Sequence, residues 1–217
     1  RSRGLGDVYK RQFRHCADRT DYAVLYFNVR NFKAVNELFG IDTGDSVLRT
    51  IYKNLRSSSL KPCVVARVEA DQFTCLVEKK NLDFDALSGL CEWNFTKKGK
   101  TMHIFCGCGI FFVENKEMSI NGMIDRAKLA KKYITDEYVK PYNIYDASMK
   151  SYYIDRAELA GELRNGLAQE QFKVYYQPVI DTKTGKIASA EALIRWIHPD
   201  KGFISCLLYT SPSPRDR

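Results

Sequence analysis

Apolar positions in this chain fall into short runs whose period changes at clear stops. Tyr22–Val29 (YAVLYFNV) is a continuous β-branched and aromatic run entered from polar residues, which predicts a buried strand. Phe32, Val35 and Phe39 then recur at helical spacing, with Gly40 as the stop, and Val47, Leu48, Ile51 and Leu55 predict a second helix. Cys63 to Glu78 reads as two strands around Glu69-Ala70-Asp71, a break short enough only for a tight hairpin. Phe84, Leu87, Leu90 and Cys91 predict a helix over Phe84 to Phe95, and Thr101 to Val113 a long strand. Ser119 opens a helix through Ile134, with Ile120, Ile124, Ala127 and Lys131 along one side, and Asn143 to Tyr145 is a short strand. This order predicts an α/β sandwich with an antiparallel component.

Met149 to Gln169 follows as a connecting helix, with Leu159, Leu163 and Leu167 at four-residue intervals and Asp155 and Glu158 in its early turns. A domain boundary is expected near Ser148. Tyr175 to Ile204 reads as two strands around a Thr-Gly turn, carrying polar side chains where a buried strand should be apolar. Strand side chains alternate faces, so Glu191, Leu193 and Arg195 share one side. A carboxylate and a guanidinium aimed the same way can hold a metal ion and a phosphate; an exposed face with an ordinary ion pair is the alternative.

The two ends stand apart. Ser2 to Gln12 can be written in codons whose reverse complement, read one base out of phase, encodes the residues from Cys206 to Arg215. Two natural termini have no reason to be each other's antisense, so residues 1–12 and 206–217 are expected to be translated sequencing adapter, leaving 13–205 as natural protein cut at both sides. The tails hold six basic and two acidic residues, half of the net charge of +8. The mild excess that remains does not point to a nucleic acid polymer or an acidic membrane surface. Of the seven cysteines, none forms a C-x-x-C pair. Cys63, Cys75, Cys106 and Cys108 lie in apolar strand-like runs, which predicts reduced, buried thiols in a cytoplasmic protein. No apolar run approaches the ~18 residues of a membrane span.

The motifs then carry a resemblance. NVRNFKAVNELFG, GDSVL and RVEADQF, at matching spacing, resemble the D-x-D-x-F-K-x-x-N-D-x-x-G, G-D-x-x-L and R-x-G-G-D-E-F blocks of GGDEF domains, the palm-like fold (ferredoxin-like, nucleotidyl cyclase) of diguanylate cyclases. The resemblance implies this fold over residues 13–148, with the family's first helix missing. It also implies two metal ions bridging GTP phosphates in active members. Here Asn28 and Arg30 stand where the family has acids, Glu69 and Ala70 replace the two glycines, and Gln72 replaces a Glu, leaving Asp71 as the one retained potential metal ligand. The family's inhibitory R-x-x-D is also missing, the stretch reading LKPC. Cyclase activity is not expected. Asn36 and Asp45 match guanine-binding positions, and Lys33 and Lys132 match phosphate-contacting lysines, so GTP as a regulator is one reading. The other makes Asn36 a helix-surface residue, Asp45 a helix cap and both lysines solvated.

Phe172 to Ser205 resembles the first fifth of an EAL domain: YQP, then E-A-L-x-R-W, then H-P-x-x-G. A bare E-A-L is weak, and the combination carries the match. EAL domains are TIM-type (β/α) barrel phosphodiesterases that hydrolyse cyclic di-GMP to pGpG with two divalent ions, Mg²⁺ or Mn²⁺. By resemblance Glu191 is the first metal ligand, Arg195 grips a substrate phosphate and Gln177 lines the substrate mouth. Gln177 and Arg195 fall late in their strands, the end at which such barrels carry their sites. His198 is expected to be a structural turn residue and Trp196 barrel packing. The resemblance implies a homodimeric, full-length cyclic di-GMP phosphodiesterase with a regulatory GGDEF domain, this fragment itself being inactive. The rival is a catalytically inactive receptor for GTP or cyclic di-GMP.

Overall fold

The computed structural model describes residues 21–205 apart from 98 and 116, so the two terminal segments read as adapter, and Cys16, lie outside the described residues. The chain divides into two units, at Met149 and Lys150.

The first unit is a six-stranded sheet with helices. β1 (Tyr22–Val29) leads to α1 (Phe32–Phe39) and α2 (Ile41–Arg56); β2 (Val64–Glu69) and β3 (Gln72–Glu78) form the hairpin; α3 (Phe84–Gly89), β4 (Glu92–Lys97), β5 (Lys100–Phe112), α4 (Ile120–Lys132) and β6 (Tyr142–Ile144) complete it. Strand order is β2-β3-β1-β5-β4, antiparallel throughout, with β6 added parallel to β5. β1 lies at the centre because its run is apolar on both faces. Ala23, Leu25, Phe27 and Val29 point into a core shared with Val47, Leu48, Ile51 and Leu55 of α2, while Tyr22, Val24 and Tyr26 face Met123, Ile124 and Ala127 of α4. The α4 backbone rests on the sheet at Gly109, where an added Cβ would lie 1.8 Å from the Ala127 carbonyl oxygen. Ser119 caps α4, its Oγ accepting from the Gly122 N–H at 3.1 Å.

Two expectations for this unit need correction. Helix α3 ends at Gly89, and the second half of the stretch expected to be helical is β4. Trp93 and Phe95, two residues apart, both pack against the main core while their neighbours are exposed, so the local period is 2 and the segment folds back along β5. Cys63 is exposed, just ahead of the edge strand β2, whereas Cys75, Cys91, Cys106 and Cys108 are buried. Burial pushes the Cys91 thiol up to about 12 and raises Cys75, Cys106 and Cys108 as well, so these four are unreactive core groups.

The second unit contains most of α5 (Ala147–Ala168) and a three-stranded antiparallel sheet of β7 (Phe172–Ile180), β8 (Ile187–His198) and β9 (Gly202–Ile204). Its buried cluster is small: Leu159, Trp196 and Ile204, with Leu163 and Phe172 against them. The expected leucine stripe is correct for Leu159 and Leu163 and wrong for Leu167, which is 58% exposed. Gly166 takes its place, because the Trp196 ring seats so closely that a Cβ there would lie 3.0 Å from Cζ2. Most of β7 and the first half of β8 are exposed, including Tyr175, Tyr176 and Ile187, and so is Ile194 further along β8. No helix among the described residues is long and apolar enough to cross a membrane.

Candidate functional site

Two clusters contain the residues singled out in the sequence. The first forms where β1 ends beside the β2–β3 hairpin. Register pairs Asn28 with Gln72, and the Val29 N–H donates to the Asp71 carbonyl at 3.2 Å. The positions of the family's strand and hairpin ligands are thus brought together, but as two amides and Asp71. Gln72 Oε1 is buried and has no hydrogen-bond partner among the described residues, a situation that costs about 1–3 kcal/mol. Ala70 holds a φ of 27°, in the left-handed region that favours glycine, and Arg67 Nε donates to its carbonyl. The Tyr26 phenol is pushed well above its usual value, first by burial and then by the charges of Asp71 and Glu69. Arg67, whose Nε reaches the Ala70 carbonyl, brings a positive charge to the same tip.

Arg30 turns its guanidinium over the Tyr138 ring, 4.9 Å from the centroid, and its N–H donates to the Phe105 carbonyl at 2.8 Å. Lys33 is almost fully exposed and pairs with Glu37 at 3.4 Å. Asn36 packs against α2: its Oδ1 lies where a Cβ on Gly44 would be, next to Asp45. Asp45 is exposed within α2, whose N-cap is Gly40, so the reading of Asp45 as a cap is wrong. Lys132 is exposed at the last position of α4, while its neighbour Lys131 forms a half-buried ion pair with Glu137 at 2.9 Å. The described residues include no group of three or more His, Cys, Asp or Glu side chains able to hold a metal ion. Asn28, Arg30 and Gln72 do not fit the two-metal centre that the resemblance implies.

The second cluster lies on one face of the β7–β8 pair. Gln177 sits directly opposite Glu191, Tyr175 opposite Leu193 and Lys173 opposite Arg195, which puts all six on the same face. Glu191 is exposed, and the Arg195 guanidinium lies over the Phe203 ring at 5.7 Å. Being late in β7 and late in β8 is not being at a common end, because the two strands run antiparallel. Arg195 lies four residues from Glu191, about 13 Å along the strand, so Gln177 and Glu191 are neighbours and Arg195 stands apart.

His198 and Trp196 are structural. His198 Nδ1 accepts from the Asp200 and Lys201 N–H groups, both at 3.1 Å, which places the ring proton on Nε2, 2.8 Å from Glu162 Oε2. That bond, with Lys201 nearby, holds the Glu162 carboxyl below the usual range. Trp196 is fully buried, stacks on Phe172 at 4.9 Å and donates from Nε1 to Gln171 Oε1 at 2.8 Å.

The fold agrees with known families. Residues 3–133 match the model of the diguanylate cyclase GGDEF domain, and 160–208 match the EAL domain. The chain belongs to the GGDEF family. Its GGDEF and EAL segments are domains of cyclic di-GMP signalling. MucR of Pseudomonas aeruginosa, a bifunctional diguanylate cyclase/cyclic di-GMP phosphodiesterase, is 25% identical over 87% of this chain and 28% of its own length. PdeR of Escherichia coli, a cyclic di-GMP phosphodiesterase, is 28% identical over 90% of this chain and 30% of its own. The chain thus spans less than a third of either relative. The crystal structure of an EAL/GGDEF domain protein from M. capsulatus has a TM-score of 0.54 at 18% identity, covering 67% of this chain and 99% of that one. A GGDEF-EAL structure of Vibrio cholerae LapD has a TM-score of 0.53 at 13% identity, covering 94% and 49%. At these identities the likeness is one of fold: a palm-like GGDEF domain followed by EAL elements.

Sequence reasoning missed a second feature of the GGDEF domain. A groove of about 370 Å³ between α2 and the hairpin is lined by Asp45, Leu48, Arg49, Lys53, Arg67 and Phe73, among others. Its signal was present in the chain, since Asp45, Arg49 and Lys53 recur every four residues on the polar side of an amphipathic helix.

Proposed function

We propose that this chain is part of a cyclic di-GMP phosphodiesterase whose EAL domain hydrolyses cyclic di-GMP to pGpG, and whose GGDEF domain regulates without making cyclic di-GMP. One contrast carries the reading. The EAL segment keeps Glu191, exposed and beside Gln177, while the GGDEF domain has two amides and an arginine at its ligand positions. Side chains at Glu69 and Ala70 crowd the approach that glycines leave open to a phosphate. On this reading two divalent ions, Mg²⁺ or Mn²⁺, serve the whole EAL domain with Glu191 as one ligand. Glu191 by itself is no metal centre, so no step of the hydrolysis is assigned to the described residues. GTP as regulator is supported by Asn36 lying against Gly44 beside Asp45, which offers an amide and a carboxylate to a guanine edge. The buried, unreactive thiols favour a cytoplasmic setting. A dimeric full-length protein belongs to the same proposal.

The test is turnover. A product of the parent gene carrying a whole EAL domain is expected to release pGpG from cyclic di-GMP with Mn²⁺, to lose this in Glu191→Ala, and to form no cyclic di-GMP from GTP. The 217-residue chain alone is expected to release none. Formation of cyclic di-GMP from GTP, or hydrolysis retained in Glu191→Ala, overturns the proposal.

A further inference from the structure

The sheet face under α4 carries Asn28 and is covered by the chain's own charged groups. Tyr22, Val24 and Tyr26 point toward α4, so Asn28, two residues further along β1, points the same way. Register pairs Tyr26 with Gly109 and Asn28 with Gly107 of β5. Neither glycine puts a side chain on this face, and α4 uses the space. Its backbone sits on Gly109, and the Lys131 arm runs on to Gly107, where an added Cβ would lie 2.6 Å from Cε. Glu137 reaches the same point from the segment between α4 and β6. Its Oε1 is 2.8 Å from that Cβ position and 2.9 Å from Lys131 Nζ. The Lys131 and Glu137 side chains are only 22% and 14% exposed. Next in the chain, Tyr138 covers the Arg30 guanidinium and meets the Phe105 ring edge-on.

Enclosing an ion pair costs desolvation, so its placement calls for a cause. The charges at this end of the sheet supply one. The Cys106 thiol, raised first by burial and then by Cys91, is lowered by Lys131 and raised by Asp71 and Glu137, so all three charges act at one point of β5. Across β1, Gln72 pairs with Asn28 and keeps a buried Oε1 without a partner among the described residues. Two carboxylates and two amides thus share this end of the sheet with one enclosed ammonium. Such oxygens are the ligands a hard divalent cation takes, and here Lys131 supplies the positive charge.

We infer that Lys131 is a built-in counter-ion that closes this sheet face to divalent cations, its ammonium holding the Glu137 carboxylate they would otherwise bind. This rests on the proposed reading of a GGDEF domain that makes no cyclic di-GMP, and adds a second barrier to the loss of acids from β1. Without the ammonium, Glu137 is an enclosed, unpaired carboxylate among oxygen donors, and a divalent cation can take the place of Lys131.

Thermal unfolding of the whole chain in EDTA and in millimolar Mn²⁺ tests this. Lys131→Met keeps an arm and removes its charge; Lys131→Met with Glu137→Gln removes both charges. In EDTA, Lys131→Met is expected to melt about 5–10 °C lower, because one partner of an enclosed pair is left alone, and the double variant to recover most of that loss. Mn²⁺ is expected to raise the Tm of Lys131→Met by several degrees, more than that of the unsubstituted chain or the double variant. A Mn²⁺ shift in Lys131→Met no larger than in the unsubstituted chain, or equally large in the double variant, overturns the inference. So does a Lys131→Met chain that is unfolded in EDTA and gains no cooperative transition in Mn²⁺. Cyclic di-GMP formed from GTP by the parent gene product overturns the functional reading instead, whereas the Mn²⁺ shifts bear on Lys131 alone.

Discussion

Gln72 occupies a position where a cyclase needs a carboxylate, and here its carbonyl oxygen is buried without a partner. Such an orphaned acceptor costs about 1–3 kcal/mol, and replacing it by an apolar group of similar shape removes that cost. Gln72→Met has nearly the same length, so the first domain is expected to gain about 1 kcal/mol, at the low end because strand pairing with Asn28 limits rearrangement. For a chain of this size the gain corresponds to a rise in Tm of about 2–4 °C. The companion variant, Gln72→Glu, places a carboxylate beside Asp71 and near Glu69. Its folded-state pKa should be raised, so its destabilisation is absent below the ordinary carboxylate range and grows as pH rises through the folded value. Thermal unfolding of the three proteins between pH 4 and 8 measures both effects. A Met variant less stable than the unsubstituted protein would show that the Gln72 carbonyl has a partner after all, and a pH-independent Glu variant would show that Arg67 cancels the charges of Asp71 and Glu69 at this position.

Two further outcomes follow from the packing. Gly109→Ala should destabilise the GGDEF domain by about 3 kcal/mol in urea unfolding, because the new Cβ meets the Ala127 carbonyl and the Lys131 amide, backbone atoms that cannot rotate away. In the second unit the depressed Glu162 carboxyl favours the folded state above its unfolded value near 4.5, and this contribution is lost as pH falls through the lower folded value. Protection of the Asp200 and Lys201 amides, taken relative to their intrinsic exchange at each pH, should therefore fall with acid in the parent chain and show no such step in Glu162→Gln.

Much of the architecture could be read directly from residue order. The two-sided apolar run of Tyr22–Val29 has no stable place except the middle of a sheet, and the three-residue break at Glu69-Ala70-Asp71 admits only a hairpin. The resemblance to GGDEF motifs also marked Asn28, Arg30 and Gln72 as standing where that family has acids, which is the basis for proposing that the domain makes no cyclic di-GMP. β4 escaped notice because six residues with a helical stripe in front of them are too few to display a change of period.

Positions of the charged groups relative to one another were decided in three dimensions. Antiparallel pairing, invisible in either strand alone, put Gln177 beside Glu191 and sent Arg195 toward the other end of β7. The Trp196 ring chose Gly166 over Leu167 because only a missing Cβ lets an indole lie against a helix. The groove above Leu48 and Phe73 exists because α2 packs over the hairpin, bringing Arg67 of one strand to Arg49 and Lys53 of a helix. Sequence determines which groups are available and which periods they follow; distances between groups far apart in the chain arise from register and packing, and the candidate sites depend on those distances.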